Sequence, residues 1–470
     1  MAQLYPFRAL RYDPARVNLH DVVTQPYDKI SPAMQDAYYA ASPYNLIRVI
    51  LGKKFPADTD SENVYTRAAA TLNDWRDEGI LREEAEPALY GYSQTYAVPG
   101  SAPVEVRERR GFIALGHLYD YADHVVYRHE QTFPKHKSDR LALFKATRAY
   151  CEQIYMLYSD PTFTAEQLIF GAKDKTTKPA DLEVTDEYGV EHRVWKLTNP
   201  ALIQQVLAAM DDKKLIIADG HHRYETSVGY MHERAAELGI SAESPATNLS
   251  SRPEAAHFAA AAERPAVGAA TELPTPAFPE AAMMMTFVNM DAPGITILPT
   301  HRVVFDVSAF SGKQFVESAA PFFNVQEIPA TDAAILLKRL NETEGVAIVA
   351  VTRNGNFLLR AKPEAINAAL ADVSPHQRSL DVVQLHKIVL ERILGLNEET
   401  VRAGTNVRYL REAPEAVAQV LTGDADVTFL IKPVTLKQME DISLNLEVMP
   451  QKSTDFYPKL LSGLAMYTLD

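Results

Sequence analysis

The sequence predicts an α/β (α+β) protein built as two or three packed units. Short apolar runs of strand character alternate with stretches of helical spacing along the whole chain. Its 470 residues exceed the roughly 250 to 300 at which a single hydrophobic core stops growing. With 47% hydrophobic and 23% charged residues, the composition suits a chain that folds through most of its length.

The first 115 residues mix short strand-like runs with helices. Over Ala68 to Leu81, Leu72, Trp75, Gly79 and Ile80 fall near one helical face. Strand character returns at Gly111 to Leu118 and His124 to Tyr127, after which Ser138 reads as the N-cap of a helix through Tyr150. A strand over Gln153 to Tyr158 closes in the turn Ser159-Asp160-Pro161. Residues 171–196 read as a polar hairpin turning at Tyr188-Gly189, and Ala201 to Met210 as a helix. Lys214 to Ala218 suits a buried strand. It leaves through Asp219-Gly220-His221-His222-Arg223 into a helix on which Tyr224, Val228, Met231, Ala235 and Leu238 recur at helical spacing. Residues 241–282, rich in Ala, Pro, Ser and Glu, have little periodicity and read as a mobile loop or a lid. Beyond them, strands at Met283 to Asn289, Val346 to Thr352, Phe357 to Arg360 and Val427 to Lys432 alternate with helices at Val382 to Leu394 and Leu436 to Leu446. The expected division is 1–115, 116–240, 241–282 and 283–470, with no internal repeat.

Charge narrows the function. A formal net charge of -14 disfavours non-specific binding to nucleic acid, which rests on clustered Lys and Arg. The one basic stretch, Arg128 with Lys135, Lys137, Arg140, Lys145 and Arg148, is what a solvated helix face provides. No run approaches the ~20 apolar residues of a membrane span, and the start lacks an export signal's pattern, so a cytoplasmic protein is expected. The single cysteine, Cys151, excludes an intrachain disulfide and a multi-cysteine metal site, and its apolar neighbours place it in a core.

Two constellations carry chemistry. The Asp219 to Arg223 turn leaves a buried strand and starts a helix, where backbone N–H groups and partial positive charge favour an anion. Gly220 permits close approach, Arg223 can bind phosphate or carboxylate bidentately, and His221 and His222 can donate hydrogen bonds or bind metal. Asp219 can orient a histidine, hold Mg²⁺ or accept a proton. The second constellation is His129-Glu130 with Thr132, followed by Lys135, His136 and Arg140. There Glu130, a carboxylate at a strand end among cations, is a candidate general base, and a surface ion pair with Arg128 or Lys135 is the bland alternative. Smaller clusters add Tyr27 and Asp28, then Lys452, Ser453, Thr454 and Lys459, whose lysines and hydroxyls suit phosphate. His301 and Arg302 form a weaker one.

Gln25-Pro26-Tyr27-Asp28, His129-Glu130 with Thr132, Asp219 to Tyr224, Leu298 to Arg302, and Lys452 through Gly463 together resemble the bacterial family DUF1015. The resemblance covers nearly the whole chain. That family in turn is similar to the ParB/sulfiredoxin-like superfamily, which includes free serine kinases with a strand-end His-Glu and an Asp-Gly-His-x-Arg turn. The resemblance implies a ParB/sulfiredoxin-like core over 116–240 with additional N- and C-terminal α/β regions, the last contributing to the site. It implies that Glu130, with His129 and Asp219, is catalytic, Glu130 taking the proton of a substrate hydroxyl. Gly220, His221, His222, Arg223, Lys452, Ser453, Thr454 and Lys459 would hold the donor, and Tyr27, Asp28, Thr132, Arg140, His301 and Arg302 the acceptor.

The leading expectation is a small-molecule kinase acting on free L-serine, with Mg²⁺ and with ATP, ADP or pyrophosphate as donor. No Gly-x-x-x-x-Gly-Lys-Ser/Thr loop occurs, which disfavours a P-loop kinase. A nucleotide-responsive ParB-like DNA-binding protein is the first alternative, and net acidity argues against it. The second is a metal-dependent phosphatase or hydrolase using Asp219, His221 and His222. Metal ligands and a homo-oligomer stay open.

Overall fold

The computed structural model describes residues 1–101, 103–132, 134–171, 179–240 and 272–470. The Ala/Pro-rich stretch lies outside the described residues up to 271. So do residues 172–178 of the hairpin and the side chains of Lys135 and His136.

The architecture is mixed α/β, as the alternation of patterns predicts. Nine strands form one large sheet: β1 (Leu4–Tyr5), β2 (Leu89–Ala97), β3 (Val106–His117), β4 (Val126–Tyr127), β5 (Ile154–Tyr158), β6 (Leu182–Thr185), β7 (Glu191–Leu197), β8 (Leu215–Asp219) and β9 (Ala282–Asn289). Their order is β4-β8-β5-β9-β3-β2-β7-β6, with β1 paired to β3. β8 runs parallel to β4, and β9 parallel to β5. The strands at the centre are buried on both faces, β5 and β9 along their full length. This is why they read as unbroken apolar runs rather than alternating ones.

β3 runs across the division expected at 115, and β9 carries the chain back into the middle of the same sheet after residue 281. Pairing between distant segments sets this, and local composition carries no trace of it. A second sheet holds six antiparallel strands in the order Phe323–Ile328, Gly355–Ala361, Ala347–Thr352, Val427–Ile431, His301–Val304, Val407–Leu410. One hydrophobic cluster joins the two sheets, from Tyr155 and Leu157 through Phe456 to Ile348 and Phe429.

Residues 449–470 then strap the two sheets together. Asp455–Tyr457 pairs with Thr296–Leu298, the Ser462 N–H bonds the Thr24 carbonyl at 2.8 Å, and Tyr467–Thr468 pairs with Ala149–Tyr150.

Three helices depart from the expected bounds. The one read over Ala68 to Leu81 runs Val64–Asp77, and Leu81 opens a short strand through Glu83. The helix assigned to start at Ser138 begins at Pro134, whose fixed φ and missing N–H suit a first turn, and it stops at Thr147. Residues 149–150 are instead a short strand. The stretch expected as one α-helix over 382–394 is α-helical only from Asp381 to Gln384 and widens into a π-helix over Leu385–Ile393. Cys151 is buried, as expected, and burial pushes its thiol up to about 12. Among the described residues, no helix is long and apolar enough to cross a membrane.

Candidate active site

Parallel pairing of β4 and β8, with Val126 opposite Leu215 and Tyr127 opposite Ile216, brings two strand ends to the same edge of the sheet. One continues into His129-Glu130, and the other ends in Asp219. In open α/β sheets the crevice at such carboxyl ends is where ligands bind. After Asp219, Gly220 turns the chain with φ +96° into the 18-residue helix His221–Leu238. A Cβ at Gly220 would lie 3.0 Å from Ile154 Cδ1 and 3.1 Å from Arg223 Nη2. The backbone therefore favours glycine, and the two side-chain ends would have to give by a few tenths of an ångström for a larger residue. Gly220→Ala is expected to cost about 1–3 kcal/mol, read as a lower urea midpoint.

Asp219 sits in a chain of alternating charges. Its Oδ2 is 3.7 Å from the Lys459 ammonium, which lies 3.1 Å from Asp455, and Lys29 approaches Asp455 at 3.8 Å. Arg411 Nε and Nη2 both meet Asp455 Oδ2 at 2.7 Å. Burial alone would raise both carboxyls. The lysines and arginines override it, holding Asp219 well below the usual range and Asp455 at about 2. Burial likewise disfavours the Lys459 charge, but the two carboxylates raise it. Repulsion from Lys459, then burial, lowers Lys29. Beside this network lies a cavity of about 410 Å³ lined by Lys29, Arg411, Lys452, Thr454, Asp455 and Lys459.

Glu130 stands on the other strand end. The Met449 N–H bonds the His129 carbonyl at 2.8 Å, and the Lys452 N–H points at Glu130 Oε1 at 3.4 Å. Lys452 has φ +55°, a left-handed conformation seldom taken by a side-chain-bearing residue and common at functional sites. The charges of both carboxylates, Glu130 and Asp219, act on His129. Its Nε2 is 2.8 Å from Thr454 Oγ1, and its ring meets that of His221 edge to face at 4.6 Å. His221 Nε2 is buried and has no hydrogen-bond partner among the described residues.

Burial holds both rings neutral, His129 down to about 3 and His221 to about 4, against an ordinary 6.5. The unfolded chain therefore binds more protons between those values and 6.5, so stability rises with pH through that window and is fully present above it. Each ring adds a slope of about 1.4 kcal/mol per pH unit inside its window. Urea melts from pH 7 to pH 4 should show the midpoint falling, and His129→Gln should flatten the fall. An equally steep profile in the variant would contradict the assignment.

The other expected residues separate into groups. Lys452, Thr454 and Lys459 line the cavity, while the Ser453 hydroxyl turns back to the Pro450 carbonyl. Arg223 lies beneath the turn, its Nη1 donating to the Gln153 carbonyl at 2.6 Å and 4.0 Å from Glu152. Arg140 reaches the same Glu152 at 3.7 Å, under the ring of Tyr27, whose N–H bonds Glu152 at 3.0 Å. Asp28 is exposed, and its charge acts on Lys459. Thr132 donates to Glu225, which Arg128 and Lys137 also approach. His222 is half-buried on the first turn. Arg302 is buried, its guanidinium bonding the Gln451 and Lys452 carbonyls at 3.2 Å each. His301 lies within the second sheet, accepting from the Ile431 N–H at 3.4 Å.

Sequence reading missed Lys29, Asp455, Arg411, Glu152 and Glu225. Two of these had a signal: Lys29 adjoins Asp28, and Asp455 lies four residues before Lys459. Glu152 and Arg411 reach the site only through pairing across the fold.

Mg²⁺ is usually held by one or two carboxylates together with substrate phosphates, and Asp219 suits that arrangement. Among the described residues, no three His, Cys, Asp or Glu converge as a self-sufficient metal set, so Asp219, His221 and His222 do not form one.

A family model described as a protein of unknown function, DUF1015, matches residues 4–383. No curated protein matches the sequence. Among solved structures, SbnI with C-terminal truncation from Staphylococcus aureus is 11% identical, over 74% of this chain and 85% of that chain, with a TM-score of 0.34. Free serine kinase in complex with AMP is 11% identical over 71% and 83%, with a TM-score of 0.30. A mutant free serine kinase in complex with ADP is 10% identical over 71% and 84%, with a TM-score of 0.31. At these identities and scores the likeness assigns no activity to this chain.

Proposed function

This chain belongs to the DUF1015 family, and from the geometry of its cleft we propose that it is a phosphotransferase acting on a small hydroxylated metabolite, free L-serine. The observation that carries the reading is the arrangement at the β4 and β8 ends. Two carboxylates, Glu130 and Asp219, stand at the ends of adjacent parallel strands, and Lys459 lies 3.7 Å from Asp219 at the start of a long helix. Phosphoryl transfer asks for little covalent chemistry from a protein. It asks for a positioned proton acceptor and for fixed positive charge around the phosphate oxygens.

In this reading Glu130 takes the proton of the acceptor hydroxyl as that oxygen bonds to the terminal phosphorus of the donor. The bond from phosphorus to the bridging oxygen breaks. The charge left on the departing phosphate faces Lys459, Lys29 and the N-terminus of the His221–Leu238 helix. The Lys452 amide fixes the Glu130 carboxylate, and neutral His129 holds Thr454 against the cavity wall. When bound, Mg²⁺ would neutralise donor phosphate charge, with Asp219 as its protein ligand. Arg140 and Arg223 act from below, anchoring the Tyr27 loop and the Gly220 turn through Glu152. Arg302 holds the Lys452 loop rather than the acceptor. A ParB/sulfiredoxin-like descent of the core is part of the same proposal.

The test is direct. Purified protein with L-serine and Mg²⁺ is given ATP, ADP or pyrophosphate in turn, and O-phosphoserine is sought by mass spectrometry. Product from at least one donor is expected, and none from any of the three would end the proposal.

A further inference from the structure

A second cavity, of about 170 Å³, lies between the π-helix and residues Val448–Gln451. It adjoins the candidate site in two places. Gln131, next to Glu130, lines it, and Tyr409 lines both this cavity and the cation-rich one. Its chemistry is different. Val373, Val383, Val401 and Val448 give it apolar walls, and the charges at its edge are already paired, Lys387 with Glu391 at 2.9 Å and with Glu398 at 3.6 Å.

Within these walls two buried polar atoms have no partner among the described residues, His386 Nε2 and the Tyr409 hydroxyl. His386 is neutral, because burial and then the charges of Arg302 and Lys387 disfavour its protonation. Buried polar groups are seldom left unsatisfied, and an orphaned pair on residues that line a cavity is one that a ligand seated there can bond. The wall that carries His386 is π-helical, a rare geometry that concentrates at functional sites. A cavity of about 150 Å³ takes an aromatic ring of benzene size.

The geometry points to this cavity as the seat of a nucleobase, a flat uncharged heterocycle with hydrogen-bonding edges, so that the phosphoryl donor is a nucleotide and not pyrophosphate. This rests on the phosphotransferase reading and selects among its donors. The base sits against the π-helix and bonds His386 and Tyr409, and the phosphates cross at Tyr409 toward Lys452 and Lys459. A chamber with apolar walls, whose bordering charges are already paired, offers pyrophosphate little, whereas it adds binding for any donor that carries a ring.

Calorimetric titration of the full chain with ADP and with pyrophosphate, each with Mg²⁺, tests this in wild type, His386→Phe and Val373→Phe. His386→Phe keeps the shape and removes the bond, and Val373→Phe fills the cavity from a half-buried rim position. Thermal melts establish that each variant is folded, and Val373→Phe alone decides the matter if His386→Phe is not. Wild type should prefer ADP, and either variant should lose roughly tenfold or more of ADP affinity while pyrophosphate binding stays unchanged. Equal loss for both ligands, or ADP binding unmoved by Val373→Phe, overturns the nucleobase site. If wild type binds neither ligand, the nucleobase site falls, and the phosphotransferase reading then rests on the ATP arm of the product assay. Pyrophosphate binding without ADP binding removes only the inference made here.

Discussion

Glu130→Gln is expected to lower phosphoryl transfer by about 10²- to 10⁴-fold, the usual contribution of a positioned proton acceptor. The amide has nearly the volume of the carboxylate and can still receive the Lys452 N–H, so the loop over residues 449–454 should keep its shape. Donor affinity should change little, because the lysines and the helix N-terminus that face the phosphates are untouched. Single-turnover rates and calorimetric donor titration on the same preparation separate the two effects. Full activity in Glu130→Gln would remove the carboxylate from the chemistry. A parallel collapse of donor binding would instead make Glu130 a structural element of the loop.

Lys459→Met should have the largest effect on stability. It leaves the Asp219 and Asp455 carboxylates without the cation between them, and removing one partner of a buried ion pair costs about 3–5 kcal/mol. Arg411 and Lys29 still cover Asp455, which places the expected loss near the lower end of that range. Affinity for pyrophosphate or nucleotide should fall in the same variant. Combining Lys459→Met with Asp219→Asn separates uncompensated charge from lost packing, since the double variant should regain part of the stability. If the double variant is no more stable than the single one, the lysine acts through its aliphatic stem and not its charge.

How far the sequence anticipated this site follows from the range of the interactions. The strand, turn and helix through Asp219 to Arg223 lie within twenty-five residues, and local patterning located each of them. The boundary errors have the same origin. A helical stripe does not separate 3.6 residues per turn from a wider spacing, so the π-helix that carries His386 read as an ordinary helix. Arg223 looked like a ligand because a cation in a polar motif is drawn toward an anion, and the resemblance carried Arg140 to the acceptor. In the folded chain that anion is Glu152, whose own neighbours in sequence are Cys151 and Gln153. Nothing local marks it as a buried counter-ion. Arg302 is a similar case. The resemblance placed it on the acceptor, and in the folded chain its guanidinium bonds the nearby Thr300 carbonyl and two carbonyls some 150 residues further along.

The strap over residues 449–470 also has a temporal side. A ribosome makes residues 4–448 before the lysines at 452 and 459 exist, so strands β1 to β9 can pair while the candidate centre still lacks its phosphate-facing half. On the proposed phosphotransferase reading, a growing chain is expected to turn over no substrate until this stretch has left the exit tunnel and paired with the rest of the fold. Pulse-labelled, stalled nascent chains should thus gain protease resistance in the large sheet well before they gain any capacity to turn over substrate.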